Sequence, residues 1–156
     1  MPGPLDGIKI LDLTSVGFGP FAAQILGDYG AEIIKIETQE GDITRGITPF
    51  VNQGMGHFFV MANRNKRCIV LDLKADKGRK AFLKLVELAD AIICSVRPAA
   101  MERLGLGPDV LLADNPKLVY GRMTGWGQSG PMAQAAGWAA RRRSWSARRI
   151  FRTFSS

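Results

Sequence analysis

The stretch IKILDLTSVGFGPFAAQILGDYGAEIIKIE, residues 8–37, decides the fold of this chain. Its first six residues are rich in β-branched and aliphatic side chains and predict a buried strand, and its last six, EIIKIE (32–37), predict a second one. Between them, PFAAQILGDYG (20–30) predicts a helix, with Pro20 at its first position and Gly30 just past its end. This order is typical of a unit in which a helix connects two parallel strands.

The same alternation continues along the chain and extends the prediction. Further strands are predicted at 69–73, 91–95 and 118–124, and further helices after a cap at Asp76, at 98–104, and from Pro108 to Asn115. Residues 38–62 interrupt the alternation with a glycine-rich segment, which is longer than most loops in compact domains. The fold class that follows is α/β and Rossmann-like, with a mostly parallel sheet and flanking helices.

Charge divides the chain into two parts. The net charge is +7, yet residues 1–137 hold 15 of the 21 basic residues and all 14 acidic ones, so this part is nearly neutral. Residues 138–156 contain six arginines and no acid. The basic character that would suggest a nucleic-acid binder therefore belongs to the end of the chain, and we do not expect the main domain to bind nucleic acid.

Composition also limits the class of protein and the cellular compartment that we expect. A hydrophobic content of 46% with 22% charged residues excludes a chain that is disordered throughout. No apolar run is long enough to cross a membrane, and the first residues lack the pattern of a signal peptide, so we expect a cytoplasmic protein. Cys68 and Cys94 lie beside apolar runs, which favours buried thiols over a disulfide or a metal site.

The turn after the first strand matches a dinucleotide-binding pattern. Gly17, Gly19 and Ala22 fit G-x-G-x-x-A, and Glu37 ends the second strand where an acid would bind a ribose hydroxyl. Two interpretations stay open: an NAD site, or a tight strand-to-helix turn that needs glycine. Pro20 weighs against the first, because it removes one of the N–H donors that would hold a pyrophosphate.

Several longer motifs occur in a distinctive order. They are PLDGIKILDLTSVGFGPFAAQILGDYGAEIIKIE (4–37), GDITRG (41–46), NRNKRCIVLDLKADKGR (63–79), SVRPAAMERLGLG (95–107) and NPKLVYGRMTGWGQSGP (115–131). Together they resemble the opening part of family III CoA-transferases and α-methylacyl-CoA racemases. The resemblance runs from about Pro4 to Gly137, and a full member of the family is more than twice as long as this chain.

The resemblance implies chemistry on acyl-CoA thioesters. In the transferase branch, an aspartate attacks the thioester to give an acyl-enzyme anhydride, which is passed to a carboxylate acceptor. In the racemase branch, a histidine and an aspartate exchange the proton on the α-carbon. Both branches bind CoA on the Rossmann-like domain without a metal, and members form interlocked homodimers.

The resemblance also implies which residues bind CoA. Gly17 and Phe18 would lie near the pantetheine or thioester end, and Arg103 would pair with a phosphate, since arginine offers a planar fork for such groups. The remaining residues fall in two segments: Leu71, Asp72, Leu73 and Lys74 at the adenosine, and Ser95, Val96 and Arg97 at the end of the next strand.

Departures from the family pattern limit what the resemblance implies. Thr38 stands where the family usually has an arginine, and Cys94-Ser95-Val96 stands where it commonly has Glu-Asn-Phe. Trp138 occupies the position of the racemase histidine, and the position of the catalytic aspartate would lie further on. We therefore assign no catalytic residue, and we expect this chain to be incomplete relative to the family fold and inactive by itself.

The basic end of the chain has three interpretations: an arm for nucleic acid, a membrane anchor, or translation out of frame. Its charges fall on no consistent helical face, and the family pattern stops abruptly at Gly137. We favour the third, with a CoA-binding domain at 1–137 and a disordered, non-family tail at 138–156.

Other interpretations remain open at this point. The chain could be a stand-alone module that binds CoA or another nucleotide, or an NAD-dependent oxidoreductase built on the glycine turn. Arg64, Lys66 and Arg67 could contact CoA phosphates or form a solvated basic loop. The sole histidine, His57, is expected at the surface rather than as a metal ligand, because no second ligand is suitably spaced.

Overall fold

The computed structural model describes residues 3–127 and 129–132. The described residues up to Met123 form one compact unit, and residues 124–127 and 129–132 belong to a second and include turns and bends. The elements of the first unit, in chain order, are β1 (Lys9–Leu13), α1 (Phe18–Asp28), β2 (Glu32–Glu37), a short 3-10 helix (Ile43–Gly46), α2 (His57–Asn63), β3 (Lys66–Val70), α3 (Asp76–Glu87), β4 (Ala91–Cys94), α4 (Pro98–Arg103), α5 (Pro108–Asp114) and β5 (Val119–Arg122).

The five strands form one sheet in the order β3-β2-β1-β4-β5, and every neighbouring pair is parallel. Ile10 of β1 lies opposite Ile33 of β2 on one side and Ala91 of β4 on the other. The strand order reverses between β1 and β4, and in open α/β sheets such a reversal marks the crevice where ligands bind, at the carboxyl ends of these two strands. The predicted fold class is confirmed.

The two faces of the sheet differ in chemistry. One face carries the larger apolar core, where β1, β2 and β4 pack against α3, α4 and α5. Its buried members are Leu11, Leu13, Ile36, Phe82, Val86, Ala89, Ile92, Cys94, Met101, Leu106, Leu111 and Leu118. The other face has a small apolar cluster of Ile10, Ala23, Ala31 and Ile33 beside α1, and beyond it the buried side chains include several charged ones.

Two helix starts differ from the predictions. Helix α1 begins at Phe18 rather than at Pro20, since Gly17 already occupies the N-cap position and its carbonyl accepts the N–H of Phe21 at 3.0 Å. Proline is tolerated there because the first N–H groups of a helix have no intrahelical partner. Helix α3 is capped by Ala75, and Asp76 lies in its first turn, where its charge still complements the helix dipole.

Two other assignments need correction. The third strand is Lys66–Val70 rather than 69–73, so Leu71–Lys74 leave the sheet as a turn. The segment 38–62 is not an uninterrupted loop. It contains the 3-10 helix and α2, which begins at His57 and buries Phe59 and Ala62.

The two cysteines are free thiols. Cys94 is buried, as predicted, and burial raises the pKa of its thiol. The prediction of a buried Cys68 is wrong, because β3 is an edge strand and leaves this side chain exposed. Within the described residues, the helices are too short or too polar to cross a membrane.

Candidate functional site

Most of the residues implied in CoA binding lie in loops at one edge of the sheet. Because all five strands are parallel, their carboxyl ends meet at this edge. Gly17 and Phe18 follow β1, Leu71–Lys74 follow β3, and Ser95–Arg97 follow β4. In open α/β sheets, ligands bind at this edge, in the crevice where the strand order reverses. Here that crevice lies between the loops after β1 and β4.

The turn after β1 is tightly built. A Cβ atom at Gly19 would lie 2.4 Å from Cβ of Thr14, so only glycine lets α1 approach the end of β1 this closely. Val16 adopts a φ of +71°, a left-handed conformation that is strained for a β-branched residue. Strained residues of this kind persist only where the surrounding structure holds them, and they cluster at functional sites.

Ser95 joins the two loops that border the crevice. Its Oγ accepts a hydrogen bond from the backbone N–H of Ser15 at 3.3 Å, and its own N–H donates to the carbonyl of Leu13 at 3.3 Å. Phe18 is 83% exposed on one side of the crevice, and Val96 and Arg97 are exposed on the other. The hydrogen bond between Ser95 and Ser15 thus joins the loop that contains Gly17 and Phe18 to the loop Ser95–Arg97.

The segment Leu71–Lys74 lies apart from this crevice. It follows β3, which is separated from β1 by one strand, so about 10 Å of sheet lies between them. Leu71 and Leu73 pack against the larger core, while Asp72 and Lys74 are exposed. The carboxylate of Asp72 accepts the N–H of Lys74 at 2.9 Å and so fixes the turn.

Arg97 and Arg103 mark the two ends of α4. Arg97 is the N-cap residue beside the crevice, and Arg103 is the last helical residue, which places it about 9 Å further along the helix axis. Both are exposed, and neither forms a salt bridge with an acid of the described residues. Both guanidinium groups can therefore bind an anion.

A fully buried ion pair lies beneath the turn. Nζ of Lys66, at the start of β3, donates to Oδ2 of Asp12 at 2.8 Å, and neither side chain has exposed surface. The same ammonium group donates to the carbonyl of Pro20 at 2.7 Å and to Oδ1 of Asn63 at 2.9 Å. Burial lowers the pKa of Lys66, while the Asp12 carboxylate opposes this shift.

A second buried lysine reaches the same turn from β2. Nζ of Lys35 donates to the carbonyl of Thr14 at 2.6 Å and lies 3.1 Å from Oδ2 of Asp42, with both side chains 1% exposed. Burial favours a raised pKa for Asp42, but hydrogen bonds from the backbone and hydroxyl of Thr44 and the charge of Lys35 outweigh it, so the pKa is lowered.

Glu37 closes the row of buried charges. Its two carboxylate oxygens accept Nε and Nη2 of Arg45 at 2.8 and 2.6 Å, and Oε2 also accepts the N–H of Asp42 at 3.0 Å. The guanidinium of Arg45 stacks 3.7 Å from the ring centroid of Phe59. Burial acts to raise the pKa of Glu37, but these hydrogen bonds prevail and lower it.

This geometry favours one interpretation of the glycine turn over the other. Both oxygens of Glu37 are engaged inside the protein, so the acid is not available to a ribose hydroxyl. Gly19 is needed for close packing on Thr14. The turn therefore fits a tight strand-to-helix connection better than an NAD site.

The basic motif NRNKR (63–67) is only partly a solvated segment, since Arg64 and Arg67 form surface ion pairs while Lys66 is buried. Arg64 binds Asp28 at 2.6 Å, and Arg67 binds Glu32. Sequence reasoning missed the role of this motif. The sequence does contain a signal for buried charges: Asp12 and Lys35 are charged residues that each lie inside an otherwise apolar strand.

The remaining predictions concern His57, possible metal ligands and the basic end of the chain. His57 is exposed at the start of α2, as predicted. In the part of the chain that the structure describes, no three histidine, cysteine or acidic side chains are grouped to hold a metal ion. Trp138 and the basic end of the chain lie outside the described residues.

Comparison with known proteins gives consistent matches. A family model described as CoA-transferase family III matches residues 5–144. A probable fatty acyl-CoA transferase of Mycobacterium tuberculosis is 40% identical over 86% of this chain and 34% of its own length. An acetyl-CoA:oxalate CoA-transferase of Acetobacter aceti is 44% identical over 84% of this chain and 34% of its own length. The chain therefore spans about a third of the curated relatives it matches.

The fold matches as well. The crystal structure of a CAIB/BAIF family protein from Brucella suis aligns with a TM-score of 0.84 at 37% identity, over 88% of this chain and 38% of that one. The fold of the described part thus agrees with that of part of a larger protein of this kind.

Proposed function

The chain belongs to CoA-transferase family III, and we propose that its described part binds the CoA moiety of an acyl-CoA thioester at the crevice between β1 and β4. In the full-length relatives, the matching part would serve the transfer of CoA between carboxylic acids. One observation carries the proposal. The two loops that border the crevice are joined by Ser95 and present exposed residues on both sides of it.

The charges around the crevice suit the chemistry of CoA. CoA carries several phosphate charges, and an arginine fork can bind two phosphate oxygens at once. Arg97 lies beside the crevice, and Arg103 and Lys74 are exposed further away. We propose that Arg97 and Arg103 contact phosphates, and that Leu71–Lys74 contact the adenosine from their separate position at the edge of the sheet.

Gly17 and Phe18, in the turn after β1, suit the pantetheine end of CoA. The pantetheine arm is slender and carries amide groups and a thioester, so a backbone free of bulky side chains can approach it closely. Gly17 supplies such a backbone next to Phe18. We propose that these two residues lie along the pantetheine arm close to the thioester.

The relatives favour transfer over racemisation, because both curated proteins described above are named as CoA-transferases. In transfer by a carboxylate nucleophile, the carbon–sulfur bond breaks, the CoA thiolate leaves, and an anhydride forms. Residues 14–18 and 95–97 include no carboxylate and no histidine. We therefore propose that the described part binds the thioester and that residues elsewhere in the full-length enzyme carry out the chemistry.

A homodimer, which the resemblance implies, would find an apolar surface on α1. Phe21, Ile25 and Tyr29 are spaced to share one face of this helix and are 49%, 37% and 53% exposed. We propose that this row is covered in the assembled enzyme. A monomer in sedimentation velocity at all concentrations tested would contradict the proposal for this chain.

Calorimetric titration of the chain with CoA, and separately with NAD, tests the binding proposal. We expect heat and a raised melting temperature with CoA only. Arg97→Gln should weaken CoA binding about tenfold, the loss of one charge-assisted hydrogen bond. Lys117→Gln is the matched control, because Lys117 precedes β5 and so lies at the opposite edge of the sheet. Equal binding of both ligands, or equal effects of both variants, would contradict the proposal.

A further inference from the structure

The two buried lysines bind the backbone of the turn as well as acids. Lys35 donates to the carbonyl of Thr14, and Lys66 donates to the carbonyl of Pro20. Asp12, the partner of Lys66, accepts the backbone N–H of Thr14 at 2.9 Å and its hydroxyl through Oδ1. These contacts hold both ends of the segment 14–20, which contains the strained Val16.

We propose that Lys35 and Lys66 are positioning residues, which hold the turn after β1 in the conformation that receives the CoA thioester. This inference rests on the proposed function, since it concerns the same crevice. It also gives the motif NRNKR a role: its lysine supports the site from inside the sheet and does not bind phosphate from outside.

Stability alone does not explain why charged groups occupy this place. Moving a carboxylate and an ammonium group out of water is costly, and well-packed apolar residues of similar volume often stabilise a protein as much or more. The opposite face of the sheet is filled by apolar side chains. A lysine offers what they do not: three N–H donors that can hold backbone carbonyls at fixed points.

Geometry explains why the turn needs such support. Val16 has a left-handed backbone, and Thr14 is pressed against Gly19. A left-handed β-branched residue relaxes unless its neighbours are fixed on both sides. The carbonyls of Thr14 and Pro20 flank it in sequence, two and four residues away. The two lysines bind these flanking points.

The double replacement Asp12→Leu with Lys66→Met tests the proposal. It removes both charges together, so neither is left buried without a partner. We expect a cooperative melt close to that of the wild type, CoA binding at least about tenfold weaker, and faster amide exchange at Gly17, Phe18 and Gly19. Val86→Ala, in the core on the other face, is the matched control. It should lower the melting temperature while leaving CoA affinity and exchange in the turn unchanged.

Each outcome decides the question. If the double variant folds and both CoA affinity and turn exchange match the wild type, Lys66 is not a positioning residue and the proposal is overturned. If the wild type does not bind CoA, the proposed function fails, and the exchange rates still test whether the lysines hold the turn. If the double variant does not fold, Lys66→Arg, which keeps a positive charge beside Asp12 but replaces the ammonium donors, is measured in the same way with the same criteria.

Discussion

The two faces of the sheet show two uses of a buried side chain. On the face toward α3, α4 and α5, the buried residues are apolar, and they stabilise the fold through area removed from water. On the face toward α1 and α2, Asp12, Lys35, Glu37 and Asp42 are buried, and their partners include the backbone of loops at the candidate site. On our proposal, the apolar face supplies most of the stability, and the charged face also fixes the position of the loops at the site.

The largest effect should come from the apolar face. Phe82 has no exposed surface, and Phe82→Ala should lower the free energy of unfolding by about 3–5 kcal/mol, because it removes buried area and leaves a cavity. Denaturation with urea measures the change. Leu88→Ala, at a side chain that is 66% exposed, is the control and should cost less than about 1 kcal/mol. Similar losses in both variants would show that this face is not the stabilising core.

An intermediate effect, dependent on pH, should come from the charged face. The pKa values of Glu37 and Asp42 are lowered in the folded state. Their contribution to stability is therefore present above the ordinary carboxyl pKa of about 4 and is lost as pH falls through the lower folded-state values. Glu37→Gln should cost about 1–3 kcal/mol near pH 7 and reduce this loss in acid.

Unfolding free energies measured from pH 7 to pH 2 check this expectation. Glu87→Gln, at an exposed position on α3, is the matched control and should follow the wild-type curve. If Glu37→Gln and the wild type lose stability in parallel through the acid range, the hydrogen-bonded Glu37 does not contribute as described.

The smallest effect should come from Arg67, the neighbour of Lys66 in β3. Successive side chains of a strand point to opposite faces, and Arg67 is 70% exposed in a surface pair with Glu32. Arg67→Gln should change the free energy of unfolding by no more than about 1 kcal/mol. If Arg67→Gln lowered the free energy of unfolding by several kcal/mol in a denaturation experiment, the proposed difference between exposed Arg67 and buried Lys66 would be wrong.

The apolar face was largely predictable from the sequence. Runs such as IKILDL and EIIKIE predicted β1 and β2 to within one residue, since buried parallel strands need continuous aliphatic side chains. The boundary of β3 was misplaced, because IVLDL is more apolar than KRCIV, although the latter pairs with β2. Pairing with a neighbouring strand decided that boundary, and local composition did not.

The charged face was not predictable in the same way. Asp12 and Lys66 are 54 residues apart, and nothing local to either residue identifies the other as its partner. The basic neighbours of Lys66 in the sequence instead favour a surface group. The residues that border the crevice were named from the motifs that follow the strands, whereas the support beneath it depends on tertiary contacts.

The contact of Thr14 with Gly19 limits how this turn can change by mutation. Thr14 touches the Gly19 backbone on one side, binds Asp12 on another, and accepts a hydrogen bond from Lys35. A larger residue at position 19 would displace Thr14 and so disturb both buried charges. Substitutions at these four positions should therefore be strongly non-additive, and a library that varies them one at a time would miss the combinations that remain functional.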